Sequence, residues 1–138
     1  MPVSVRLVVP DGEIWSGQAR MVIAKTLDGD IGLLAGHPPV LGILAEGSVV
    51  RILDPESGGE SQGGEVMAAV SSGFLAVADD RVSIISRDAA IGTQVDRAAA
   101  QAQLDAALEE AGTLAPGDPE PTEVKYSRAL LRAAGQRS

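Results

Sequence analysis

Apolar residues recur in six short runs along the first part of the chain: VSVRLVV (3–9), RMVIAKT (20–26), SVVRIL (48–53), EVMAAV (65–70), GFLAVA (73–78) and RVSIIS (81–86). They are rich in Val and Ile and are separated by Asp-Gly, Gly-Ser, Ser-Gly and Asp-Asp pairs. Short β-branched runs spaced by turn residues predict an antiparallel β-sandwich or barrel. In RVSIIS, Val82 and Ile84 face one way, and Ile85 breaks the alternation. The segment DPESGGESQGGE (54–65) lacks apolar residues and reads as a flexible hairpin excursion between two strands.

Near residue 90 the period changes to that of a helix. TQVDRAAAQAQLDAALEEAG offers Thr93 as an N-cap with Asp96 three residues on, an alanine-rich interior and Gly112 as a stop. Leu104, Leu108 and Ala111, continued by Val95, Ala98 and Ala102, form its expected apolar face. Three prolines in TLAPGDPEPTE break the helix. A second helix follows, with Val124, Ser127, Leu131 and Ala134 on one face and Lys125, Arg128 and Arg132 on a neighbouring one. The expected architecture is mainly β with C-terminal α: an antiparallel β-sandwich over 1–90, then a two-helix hairpin over 91–138, with helices at about 94–111 and 123–136.

At 138 residues the chain can form one modest core, mostly aliphatic, since its aromatics are Trp15, Phe74 and Tyr126 alone. Without cysteine, disulfides and thiolate metal sites are excluded. The start carries no basic region followed by a long apolar run, so a secretory signal is not expected. No stretch approaches the roughly 20 apolar residues that span a bilayer. The net charge of -8 argues against nucleic-acid binding. That charge is uneven: twelve acidic against six basic residues in 1–90, six against one in 91–121, and one against four in 122–138. An acidic body ends in a basic tail.

The stretch KTLDGDIGLLAGHPPVLGIL (25–44) holds the single histidine among glycines and prolines. His37 has no spaced serine or carboxylate to form a nucleophile–base pair, and no second histidine to share a metal. The fragment DGD (28–30) lacks the remaining ligands of a calcium loop. Glycines that permit turns and close strand approach, with Pro38 and Pro39 stiffening the chain and removing donors from a strand edge, describe a structural loop rather than a reactive site. No catalytic residue, cofactor or metal site is expected.

In order along the chain, VVPDGEIWSG, GDIGLLAGHPPVLGIL, VSSGFLAVADDRVSII and the alanine-rich helix pair resemble the epsilon subunit of F-type ATP synthases. The second element is similar to that family's G-E-x-G-I-L-P-G-H-A-P-L pattern and the third to its V-S-G-G-F-x-E-V pattern. The resemblance covers nearly the whole chain. It implies a non-catalytic rotor subunit of the central stalk that couples gamma to the membrane c-ring during proton-driven ATP synthesis. It further implies partner contacts through Asp30, Gly36, His37, Pro38 and Pro39, with Asp30 facing the c-ring and His37 near the rotor interface. Ala35 stands where the family usually has proline and Pro38 where it usually has alanine.

The resemblance also implies a regulatory arm that reaches the alpha and beta subunits, here through Lys125, Arg128 and Arg132. At about 13–15 residues, or roughly 20–22 Å, the second helix is short, so weak inhibition of ATP hydrolysis is expected. Family members that bind ATP use an I/L-D-x-x-R-A motif with further arginines on the second helix. Asp96 and Arg132 match, but Ala99 takes the motif's arginine position and Gln136 stands at another. The implied location is peripheral, on the cytoplasmic face of the cell membrane. A free-standing β-sandwich protein-binding module with a helical hairpin is the alternative that composition alone allows.

Overall fold

The computed structural model describes residues 2–55, 64–112 and 119–135. Most of the 54–65 excursion, the first part of the proline break and the last positions of the tail, Gln136 included, lie outside the described residues.

Two five-stranded sheets face each other. The first has the order β2 (Gly12–Ala19), β1 (Val3–Val9), β9 (Arg81–Ser86), β8 (Gly73–Ala78), β5 (Val40–Ile43). The second has the order β10 (Ala89–Ile91), β7 (Glu65–Val70), β6 (Ser48–Leu53), β3 (Met21–Thr26), β4 (Gly29–Leu33). Alternating residues of both sheets meet in a core that fully buries Leu7, Leu33, Leu44, Ile52, Leu75, Ile84 and Ile91. Pairing is antiparallel throughout except between β1 and β9, which run parallel. The sandwich expected from the apolar runs is therefore present, and each run became a strand.

Four strands escaped the sequence pattern: β2, β4, β5 and β10. Strands β2, β5, β4 and β10 are the outer strands of their sheets, so each has a ladder on one side only. Their sequences GEIWSGQA and GDIGL, and the four-residue VLGI, are short or interrupted by glycine. Edge strands are often kept short and irregular because a long regular edge invites pairing with other chains. The sandwich closes at one corner, where Thr26 bridges Leu44 and the Ala45 amide donates to the Lys25 carbonyl at 2.8 Å.

After β10 a 3-10 turn (Gly92–Gln94) precedes α1 (Arg97–Ala111). Here the expected cap moves. Asp96, not Thr93, is the N-cap, and its carboxylate accepts from the Ala99 amide at 3.1 Å. The buried line is Ala100 and Leu104 with Ala107 half-buried beside them, whereas Ala98 and Ala102 are exposed and Leu108 is 38% exposed. An alanine-rich helix offers several equivalent apolar lines, so the start set by its cap, not its pattern, fixes which one turns inward. Gly112, at φ 69, ends the helix as expected.

Helix α2 (Thr122–Ala133) buries the expected Val124, Ser127, Leu131 and Ala134, and also Ala129, Leu130 and Ala133. It lies between α1 and the outer face of β6 and β7, against Val49, Met67, Ala69 and Ala90. The second sheet is thus covered on both faces: core inside, hairpin outside.

Candidate functional site

Among the described residues, no helix covers the outer face of the first sheet. Cross-strand register places Ile43 of β5 opposite Phe74 of β8, Phe74 opposite Ile85 of β9, and Ile85 opposite Val8 of β1. These residues point away from the core and form an apolar row across four strands. Directly opposite residues share a face, so the register alone makes the row contiguous. Leu41, one repeat along β5, is 72% exposed and Ile43 is 61% exposed. Leu27, 67% exposed, joins them, because its amide donates to the Ile43 carbonyl at 3.0 Å. Beside Phe74 and Ile85 runs a groove of about 450 Å³ lined also by Val8, Val9 and Pro10. Large apolar side chains exposed side by side are a common feature of interaction surfaces. The sequence held one sign of it, the broken alternation at Ile85.

The stretch that looked like a single docking edge is divided by β4. Asp30 is near the start of that strand, exposed and opposite Lys25. His37 lies beyond its other end. The three strand steps from Asp30 to Leu33 already span roughly 10 Å. The Asp30 end is the end that carries Leu27, Ile43 and Phe74.

At the other end, Leu34 to His37 form a turn in which the His37 amide donates to the Leu34 carbonyl at 3.2 Å. Gly36, at φ 84, takes a backbone conformation that favours glycine, and its amide donates to Asp80 Oδ1 at 2.6 Å. Asp79 and Asp80, at φ 51 and 59, form the tight β8–β9 turn that supplies this acceptor. The His37 ring is turned to its own chain, its Nδ1 2.7 Å from the Pro38 carbonyl. That acceptor requires the proton on Nδ1. Pro38 and Pro39 are exposed and lead into β5.

The basic residues of α2 make contacts inside the chain. Arg128 Nη2 donates to Glu120 Oε2 at 3.1 Å, and Arg132 Nη2 to the Gly47 carbonyl at 3.0 Å. Lys125 lies with its backbone against Gly47. Arg97, beside the ATP-motif position, donates to the Ala134 carbonyl at 2.6 Å and so caps the far end of α2. A cation at a helix C-terminus meets the negative end of the helix dipole. Asp96 is occupied as the N-cap of α1.

Between hairpin and sandwich opens a polar cleft of about 320 Å³ whose lining includes Glu46, Ser71, Arg87, Asp88 and Tyr126. Burial, aided by the Asp88 carboxylate, pushes the Tyr126 phenol up to about 12. Among the described residues no cluster of three or more His, Asp or Glu side chains is placed to hold a metal ion. Among them, too, no helix is long and apolar enough to cross a membrane.

A family profile described as the ATP synthase, Delta/Epsilon chain, beta-sandwich domain matches residues 2–92. The ATP synthase epsilon chain of Thermobifida fusca is 46% identical over 132 residues, covering 94% of this chain and 90% of that protein. The epsilon chain of Frankia casuarinae is 45% identical over 89 residues, which is 96% of that protein but 64% of this chain. Among solved structures, a chain of the Euglena gracilis mitochondrial ATP synthase OSCP/F1/c-ring assembly shares the fold with a TM-score of 0.64 at 20% identity, covering 97% of this chain and 79% of that one.

Proposed function

The chain belongs to the ATP synthase delta/epsilon chain family as a non-catalytic subunit, and on that premise we propose that it joins the gamma subunit to the c-ring in the central stalk. The observation that carries this reading is the apolar row Ile43–Phe74–Ile85–Val8 on the sheet face that the hairpin leaves open. Gamma docks on that face. The end of the sandwich carrying Asp30 and Leu27 turns to the c-ring, and the loop of Gly36, His37, Pro38 and Pro39 forms a second contact at the opposite end. The protein is peripheral on the cytoplasmic face of the cell membrane, held there by these partners.

The hairpin is an accessory arm. Its basic residues Lys125, Arg128 and Arg132 reach alpha and beta only when it leaves the sandwich, and its short second helix makes that inhibition of hydrolysis weak. Nucleotide does not govern the arm, since Asp96 is used as a helix cap and Arg132 is bound to a backbone carbonyl. A match that uses up 96% of the Frankia protein with 64% of this chain supports an arm less essential than the sandwich. The free-standing binding module falls away with a match to an epsilon chain over nearly the whole length.

Co-purification from native membranes tests the reading. The wild-type chain should come out with gamma and the c-ring, and a Phe74→Asp chain should be lost from that complex while remaining folded. Retention of the Phe74→Asp chain at wild-type level would remove the apolar row from the interface.

A further inference from the structure

The turn at Glu46–Gly47 meets α2 at three residues, Thr122, Lys125 and Arg132. A Cβ built on Gly47 would lie 2.3 Å from the carbonyl carbon and Cβ of Lys125 and 2.6 Å from its oxygen, far inside contact distance. The obstacle is the backbone of α2, which has no rotamer to relieve it. Gly47 also sits at φ 62, where a side chain is disfavoured. The turn is also anchored to the sandwich: the Gly47 amide donates to the Ser71 carbonyl at 2.8 Å, and the Ala45 amide to the Lys25 carbonyl at 2.8 Å. On its remaining side the Gly47 carbonyl accepts from Arg132, and Thr122 Oγ1 donates to Glu46 at the start of α2.

We infer that this turn is a latch whose missing side chain sets how firmly the hairpin rests on the sandwich. The absence of a Cβ at Gly47 lets the helix backbone come down onto the turn. Arg132 and Thr122 then hold it at two points separated by most of the helix. The latch controls exposure of an apolar surface. Lifting α2 uncovers Met67, Val49, Ala69 and Ala90 on the sheet, with Val124, Leu130 and Leu131 on the helix. Free in water, such surface favours reclosure. Release is therefore completed only by a partner that covers the helix. The latch itself stands on contacts within one chain; its regulatory meaning rests on the stalk role proposed above.

Hydrogen exchange on the isolated full chain tests the latch without requiring assembly. Changing Gly47→Ala should speed exchange of the α2 amides about tenfold while leaving the β6–β7 ladder at its parent rate, since local opening is separable from global unfolding. Arg132→Ala, which leaves the turn's backbone unaltered, should speed α2 exchange about threefold through loss of one hydrogen bond. Unchanged α2 rates in Gly47→Ala, with the sandwich intact, would overturn the latch. If Gly47→Ala also loosens the sandwich, Arg132→Ala decides: faster α2 exchange upholds the latch and an unchanged rate overturns it. Because no partner subunit is present, a negative result would leave the stalk assignment standing, and failure of co-purification would leave the latch standing.

Discussion

The amide of Gly36 donates to the carboxylate of Asp80 at 2.6 Å, across 44 positions of sequence. This one bond ties the glycine–proline loop before β5 to the tight turn between β8 and β9. The loop that presents His37, Pro38 and Pro39 is thereby referenced to the first sheet, the sheet that carries the apolar row.

Removing the carboxylate while keeping the turn isolates that tether. Asp80→Gly accepts the positive φ and deletes the acceptor, so exchange of the Gly36 amide should rise about tenfold, consistent with a hydrogen bond to a charged group. Asp80→Asn keeps an acceptor and should stay nearer the parent rate. Equal Gly36 exchange in all three chains would show that the bond does not hold the loop.

Polar replacement in the apolar row should separate binding from folding. Phe74→Ser and Ile43→Ser remove side chains that are already partly or largely exposed, so stability should change by less than about 1 kcal/mol. Affinity for enzyme stripped of this subunit should fall about tenfold to hundredfold if these residues anchor the interface. The control is Leu75→Ala, one residue from Phe74 but fully inside the core, which should cost about 2–5 kcal/mol. Unfolding followed by the single tryptophan, Trp15, reads stability; titration of the stripped enzyme reads binding.

The single tyrosine reports on the hairpin. Tyr126 is displaced upward to about 12 by burial and by Asp88. Below the ordinary phenol value both folded and unfolded chains keep the proton, so the folded state's preference for neutral phenol is fully retained. As pH rises from about 10 through about 12, the unfolded chain gains by ionising first and stability declines. Spectroscopic titration of the phenolate should therefore give a midpoint near 12 in the intact chain. Asp88→Asn should lower it. A midpoint at the ordinary phenol value would mean the hairpin does not bury Tyr126 in solution.

Asp96 provides a test of capping against nucleotide binding. Asp96→Ala should destabilise α1 by about 1 kcal/mol with no nucleotide present, and Asp96→Asn should recover most of it. Calorimetry with ATP should show no micromolar binding to the parent chain. Tight binding abolished by Asp96→Ala would assign the residue to a ligand instead.

Much of the fold was legible because period-2 runs of Val and Ile can satisfy both burial and backbone pairing only as half-buried strands. Those six runs gave six central or near-central strands with little displacement. The four strands without such a pattern are outer ones, where one ladder and one neighbour demand less of the side chains. The helix stop at Gly112 was legible too, from a residue suited to positive φ. The start was not, because Thr93 and Asp96 are both competent caps, and the choice depends on where the preceding 3-10 turn delivers the chain.

The candidate site divided along the same line. Asp30, Gly36, His37, Pro38 and Pro39 could be singled out from residue type and resemblance, but sequence proximity made one edge of what β4 separates into two ends. Lys125, Arg128 and Arg132 were visible as a basic stripe, whereas their carbonyl, carboxylate and backbone contacts were not. By itself the sequence determined a small aliphatic β-sandwich with a helical hairpin, because local alternation and helix propensity act within a few residues. Only the tertiary structure decided that Ile43, Phe74, Ile85 and Val8 form one row and that Gly47 receives Lys125. Such neighbours are set by strand register and by the packing of one element on another, which join residues far apart in the chain.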